Sequence, residues 1–163
     1  MKIRAFFINQ HGFSLIEMMM VIAIVTILSA IAIPIFGGFL ANRDLKSAAR
    51  DIAGDIYEYR QRAIAENRVY QITFNVNGNY VIRQCNDTSS PCSGTDIATK
   101  SPSAFRNGIS ISGVTIGGPL QIQPRGTVSP AGGSVTLQNS RLSTATVTIN
   151  LTGRTYVDWT DLR

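Results

Sequence analysis

The sequence predicts an α+β fold, a long N-terminal helix packed on antiparallel β-sheet. Three observations predict it. Phe13 to Leu40 holds one charged residue, Glu17. Asp44 to Arg68 repeats apolar residues at helical spacing. Beyond Arg68 the pattern changes to period-2 alternation broken by turn signals. A helix followed by a run of short strands is the order of helix-on-sheet domains. The length of 163 residues suits one folded domain plus an appendage.

The first element is a membrane-length helix. Met18 to Phe36 contains 19 residues without charge, and at about 1.5 Å per residue they reach across a hydrocarbon core of about 30 Å. Lys2 and Arg4 precede the segment and mixed charges follow it, which places Met1 on the cytoplasmic side. Three readings of the segment compete. It is an uncleaved anchor, a secretory signal cut at Ala30-Ile31-Ala32, or a helix kept whole after cleavage behind Gly12.

Glu17 separates these readings. A carboxylate inside a bilayer costs about 2.5–3.5 kcal/mol, so it calls for a partner. Cleavage after Gly12 creates an amine on Phe13, one helical turn before Glu17. On a neighbouring copy that amine can meet Glu17, which then sets the register between chains.

The string Gly12-Phe13-Ser14-Leu15-Ile16-Glu17, followed by an apolar helix containing Pro34, resembles the type IV pilin family, which includes the pseudopilins of type II secretion. The resemblance implies cutting by a prepilin peptidase between Gly12 and Phe13 and methylation of the Phe13 amine. It also implies an assembly role for Glu17 and a helix kink at Pro34. Residues 1–12 would then be a cytoplasmic leader and 13–40 the transmembrane and filament-core helix. Residues 41–163 would be a periplasmic pilin domain that includes an amphipathic helix over 44–68.

In that second helix Leu45, Ala49, Ile52, Ile56, Tyr59 and Ala63 form one stripe, expected to pack on the sheet. Gly37-Gly38 marks a joint with local unwinding, since each glycine costs about 1 kcal/mol of helix propensity. The arginines at 43, 50, 60, 62 and 68 alternate with Asp44, Asp51, Asp55, Glu58 and Glu66, the pattern of a solvated face.

Strands are expected over Val69–Val76, from Tyr80 to Cys85, and over Ile109–Ile116, Leu120–Gln123, Val135–Gln138, Thr144–Leu151 and Thr155–Trp159. Asn77-Gly78 is a hairpin signal. Cys85 and Cys92 are the two cysteines; no second pair and no nearby histidine completes a zinc site. A disulfide around a short polar loop is expected, which implies an oxidising compartment.

The stretch "LQIQPRGTVSPAGGSVTL", followed by "TVTINLTGRTYV", is similar to the C-terminal domain of the GspH/FimT/FimU group of minor pilins and pseudopilins. The implied partners are other pilins, the prepilin peptidase and the inner membrane; the implied destination is a pilus or pseudopilus.

Catalytic motifs are missing: no G-x-S-x-G, no H-E-x-x-H, no phosphate loop, and His11 would leave with the leader. Neither an enzyme nor a cofactor is expected. DNA is the alternative partner. The FimT branch carries a G-R-x-R motif; Gly153-Arg154-Thr155-Tyr156 matches its first half, which makes Arg154 a candidate DNA contact. Removing residues 1–12 leaves 13 Lys/Arg against 10 Asp/Glu, a mild excess. Convergence of Arg125, Arg141, Arg154 and Arg163 would strengthen that alternative. Tyr156 and Trp159 are expected to be buried on the last strand.

Overall fold

The computed structural model describes residues 13–102 and 108–160, with the backbone alone at 33–36. Helix α1 spans Leu15–Glu66. It is helical through Gly37 and Gly38, so the expected unwinding there does not occur. The chain divides into two units between those same glycines.

The N-terminal unit is the apolar part of α1. The second begins at Gly38 and holds the rest of α1 with, among the described residues, nine strands: β1 (Tyr70–Phe74), β2 (Tyr80–Cys85), β3 (Gly94–Lys100), β4 (Ser110–Val114), β5 (Leu120–Ile122), β6 (Val128–Ser129), β7 (Gly133–Gln138), β8 (Thr144–Ile149) and β9 (Thr155–Thr160). They form two antiparallel sheets, β3-β2-β1-β5-β6 and β4-β7-β8-β9. Two strands escaped the sequence reading. β3 is polar and exposed along an edge, and β6 has two residues, so neither shows a hydrophobic period.

All six residues of the expected helical stripe are buried. They share one core with Ile72 and Ile82 from the first sheet and Ile111, Val135, Leu137 and Val147 from the second. Alternation explains the sheet side: along β8, Ala145, Val147 and Ile149 are buried while Thr144, Thr146 and Thr148 are half-buried.

The helix stops at Glu66 because Asn67 takes a left-handed conformation, φ 52°. Arg68 N–H then donates to the Ala63 carbonyl at 3.2 Å, the six-to-one bond of a Schellman end. β1 likewise ends earlier than expected, at Phe74. Val76 sits exposed in the turn, where Asn75 and Asn79 bridge side chain to side chain at 3.0 Å.

Two hairpins of the second sheet share one design. In the β8–β9 turn, Asn150 Oδ1 accepts from Arg154 N–H at 2.9 Å, and Gly153 supplies φ 71°. In the β7–β8 turn, Asn139 Oδ1 accepts from Arg141 and Ser143 N–H at 2.9 and 3.0 Å, but the positive φ of 65° belongs to Leu142. A bulky residue in that region costs about 1–2 kcal/mol relative to glycine.

Candidate processing and assembly segment

Ser14 starts α1. Its carbonyl accepts from the Glu17 and Met18 N–H groups at 3.1 and 3.2 Å. Glu17 therefore stands in the first helical turn, where the positive end of the helix dipole favours a carboxylate. Ser14-x-x-Glu17 also has the spacing of a capping box, a signal legible in the sequence and missed there. Glu17 thus has a local reason to be tolerated at the start of the helix. Phe13 is exposed directly before the helix. Gly12 lies outside the described residues, as do Lys2, Arg4, His11 and Arg163.

Leu15–Ala32 is long and apolar enough to cross a membrane, and none of it is buried. Its hydroxyls are satisfied within the helix: Thr26 donates to the Ala23 carbonyl at 2.8 Å and Ser29 to the Val25 carbonyl at 2.7 Å. Each large apolar side chain left in water forgoes about 1.5–3 kcal/mol. The dozen exposed between Leu15 and Ile31 set that loss in the tens of kcal/mol, so this face demands lipid or other helices. Pro34 falls within the helical backbone and cannot donate to the Ala30 carbonyl.

The two cysteines form the expected disulfide, with Cα atoms 5.6 Å apart. Both are buried beside Val69. Asp87 organises the loop they close, accepting from Ser89 and Ser93; those hydroxyls hold its carboxyl down at about 2. Closing so short a loop restricts the unfolded chain by about 2.5 kcal/mol. Replacing both cysteines by alanine is therefore expected to lower the melting temperature of the second unit by roughly 10 °C. Thermal unfolding with and without reductant checks this; identical midpoints would contradict it.

The charged helix face is not simply solvated, contrary to expectation. Asp55 is buried and accepts from the Tyr80 hydroxyl and the Lys100 ammonium, both at 2.6 Å. Tyr80 Oη is pushed well up from its ordinary pKa by burial and then by its bond to Asp55. One turn earlier, Asp51 Oδ2 is buried without a hydrogen-bond partner among the described residues, and the pKa of the Asp51 carboxyl is raised first by burial and then by the Asp55 charge. These groups border a groove of about 670 Å³. The sequence hid it because Tyr80 and Lys100 arrive from strands 25 and 45 residues away.

Arg154 is exposed in the β8–β9 turn. Its neighbour Gly153 packs against the turn holding Arg125: a Cβ on Gly153 would stand 2.7 Å from the Gly126 carbonyl, which accepts from Arg60 Nε at 2.8 Å. Arg125 and Arg154 therefore flank one junction. Arg141 does not join them. Its guanidinium lies by Gly38, where a Cβ would be 2.9 Å from Nη1, and Gly38 is about 33 Å along the helix from Arg60. Tyr156 and Trp159 are exposed rather than buried, because β9 is an edge strand. Trp159 instead lies beneath Lys46 and Arg50, 5.0 and 5.6 Å from its ring centre.

An unburied membrane-length helix that leads into a helix-on-two-sheets domain defines a type IV pilin-like structural subunit. Residues 8–33 match the family model described as the prokaryotic N-terminal methylation motif. Residues 48–153 match the model described as type II transport protein GspH, and the chain belongs to that family of minor pilins and pseudopilins, structural subunits rather than enzymes. The fimbrial protein EcpC of Eikenella corrodens is 40% identical over 78 residues, 44% of this chain; the chain spans about half the length of that relative (51%). The crystal structure of the type IV minor pilin FimU of Pseudomonas aeruginosa has a similar fold, with TM-score 0.56 and 16% identity over 74% of this chain and 92% of that one.

Proposed function

We propose that the chain is a minor pilin or pseudopilin that assembles into, or primes, a type IV pilus or type II secretion pseudopilus. One observation carries the reading. The N-terminal methylation motif over 8–33 coincides with the start of α1 at Leu15. A cut after Gly12 leaves Phe13 as a free amine at the mouth of an apolar helix, available for methylation.

In this reading the inner membrane holds the helix before assembly, with Met1 inside and the second unit in the periplasm. The bare apolar face of Leu15–Ala32 then exchanges lipid for neighbouring pilin helices. Glu17 pairs with the Phe13 amine of an adjacent chain, and Pro34 lets the helix bend. The second unit contacts other minor pilins. The chain is expected in filaments sheared from cells, and to be lost from them when the prepilin peptidase is absent; its confinement to the membrane fraction would contradict assembly.

DNA uptake is the second reading, supported by the junction that Arg125 and Arg154 flank. Two arginines give a shallow salt dependence, since each neutralised phosphate adds about 0.9 to the slope. A mobility shift of duplex DNA that weakens with salt at that shallow slope, and is lost in Arg154→Ala, would favour it over assembly alone.

A further inference from the structure

Alternation decides which way the central strands of the first sheet point their polar residues. Tyr70 and Ile72 on β1, and Leu120 and Ile122 on β5, belong to the core. Gln71 and Gln121 lie between them and so face away from it. An outward glutamine is ordinarily wet. These two are only 2% and 3% exposed, so part of the chain must cover them.

The cover is the Cys85–Cys92 loop. Gln71 stands directly opposite Gln121 on one side and Arg83 on the other, and Arg83 stands opposite Asp96. One polar row, Gln121-Gln71-Arg83-Asp96, therefore crosses β5, β1, β2 and β3. The loop lies along that row. Cys92 N–H donates to Gln71 Oε1 at 2.8 Å, and Gln121 Nε2 donates to the Ser89 carbonyl. Arg83 Nη1 adds a longer bond to the Cys92 carbonyl at 3.4 Å, while its Nε is held by Asp96 at 2.6 Å.

The loop is preformed as well as seated. Asp87 accepts from Ser89 and Ser93 and ties its two arms together. Its ends are closed twice, once by the disulfide and once by the hairpin that pairs Cys85 with Gly94. There Asn86 N–H donates to the Ser93 carbonyl at 2.8 Å. Because the hairpin already joins the ends in the folded chain, the disulfide acts chiefly on the unfolded one. The bonds that hold the loop down are those of the row, and losing either glutamine leaves a buried group of the loop unpaired. Pro91 from the loop, with Gln71, Arg83 and Asp96, also borders a groove of about 440 Å³.

We propose that residues 86–92 are a strap that opens and closes as one unit over the outer face of the first sheet, latched by Gln71 and Gln121 rather than by the disulfide. Closed, the strap walls the groove with Pro91. Open, it extends the groove over two bare amides while the rest of the domain stays folded, a local opening rather than an unfolding. Gln71 and Gln121 are positioning residues: they set how often the strap lifts.

Hydrogen exchange of the full chain in detergent micelles, read residue by residue by NMR, tests this. The informative probe is the Cys92 amide in Gln121→Met, because Gln121 bonds to Ser89 and not to Cys92. A strap that lifts as a unit carries the loss from one to the other. Cys92 exchange should quicken about tenfold, the equivalent of one buried hydrogen bond, with the amides of β1 and β2 unchanged. Gln121→Asn, which keeps an amide but shortens its reach, gives the same reading should Gln121→Met fail to fold. In Cys85→Ser/Cys92→Ser the amide of residue 92 should stay protected. Unchanged Cys92 exchange in the Gln121 variants would overturn the proposal, leaving each bond a separate local contact. So would a greater loss of protection in the cysteine variant than in the glutamine ones, or a rise spread equally over β1 and β2.

Discussion

Glu17→Ala is expected to remove the chain from sheared filaments while leaving it in the membrane with a folded second unit. The size follows from the proposed pairing. Deleting one member of a buried ion pair costs about 3–5 kcal/mol because the other charge stays buried, which is more than about a hundredfold in incorporation. Glu17→Gln separates the two roles available to this residue. Glutamine can still close a capping box with Ser14, a contribution of about 1 kcal/mol, but it cannot neutralise the amine of a neighbour. Loss of incorporation in both variants supports intermolecular pairing. Normal incorporation of Glu17→Gln would reduce Glu17 to a helix cap. Immunodetection in sheared and membrane fractions makes the distinction, and the unaltered melting of the second unit serves as the control.

Asp55→Ala is expected to destabilise the second unit by about 2–3 kcal/mol, a fall of roughly 10 °C in its melting temperature. The cost comes mainly from Tyr80, whose buried hydroxyl loses its acceptor. Lys100 contributes less, because its side chain is 44% exposed and can turn to water; Lys100→Ala should cost about 1 kcal/mol or less.

Asp51→Asn has the opposite sign. Burial and the Asp55 charge raise the Asp51 pKa above 3.8, so the folded state holds that proton more tightly than the unfolded chain does. Ionised Asp51 therefore opposes folding above its folded pKa, and the opposition fades as pH falls through the ordinary carboxylate range. Asp51→Asn should raise the melting temperature at neutral pH, with the gain vanishing below about pH 4. A stabilising effect that persists in acid would contradict the burial account.

The residues that carry these predictions differ in how far sequence exposes them. The apolar segment, the Leu45–Ala63 stripe and the β8 alternation are one-dimensional patterns; the stripe and the alternation pack as their periods require, while the apolar run stays exposed. The disulfide was legible because two cysteines with no alternative ligands leave little choice. Asp55 was not. Its helix spacing looks like that of any surface acid, and only the fold brings Tyr80 and Lys100 to it.

Trp159 misled for the reverse reason. A large aromatic on a strand is usually core, but β9 has no outer neighbour among the described residues, and the cations of Lys46 and Arg50 lie over the ring, which stays partly exposed. The Ser14–Glu17 start was present in the sequence as a capping-box spacing, overshadowed by the cost of a carboxylate near lipid.

The central claim is that the chain is cut after Gly12 and enters a filament through its apolar helix. The N-terminal residue and intact mass of the protein from its native membrane test it most directly. The account predicts a first residue of Phe13 and a mass heavier by one methyl group than the cut chain. A start at Met1 or Ile33 would contradict it, leaving the helix a plain anchor in the first case and a discarded signal in the second.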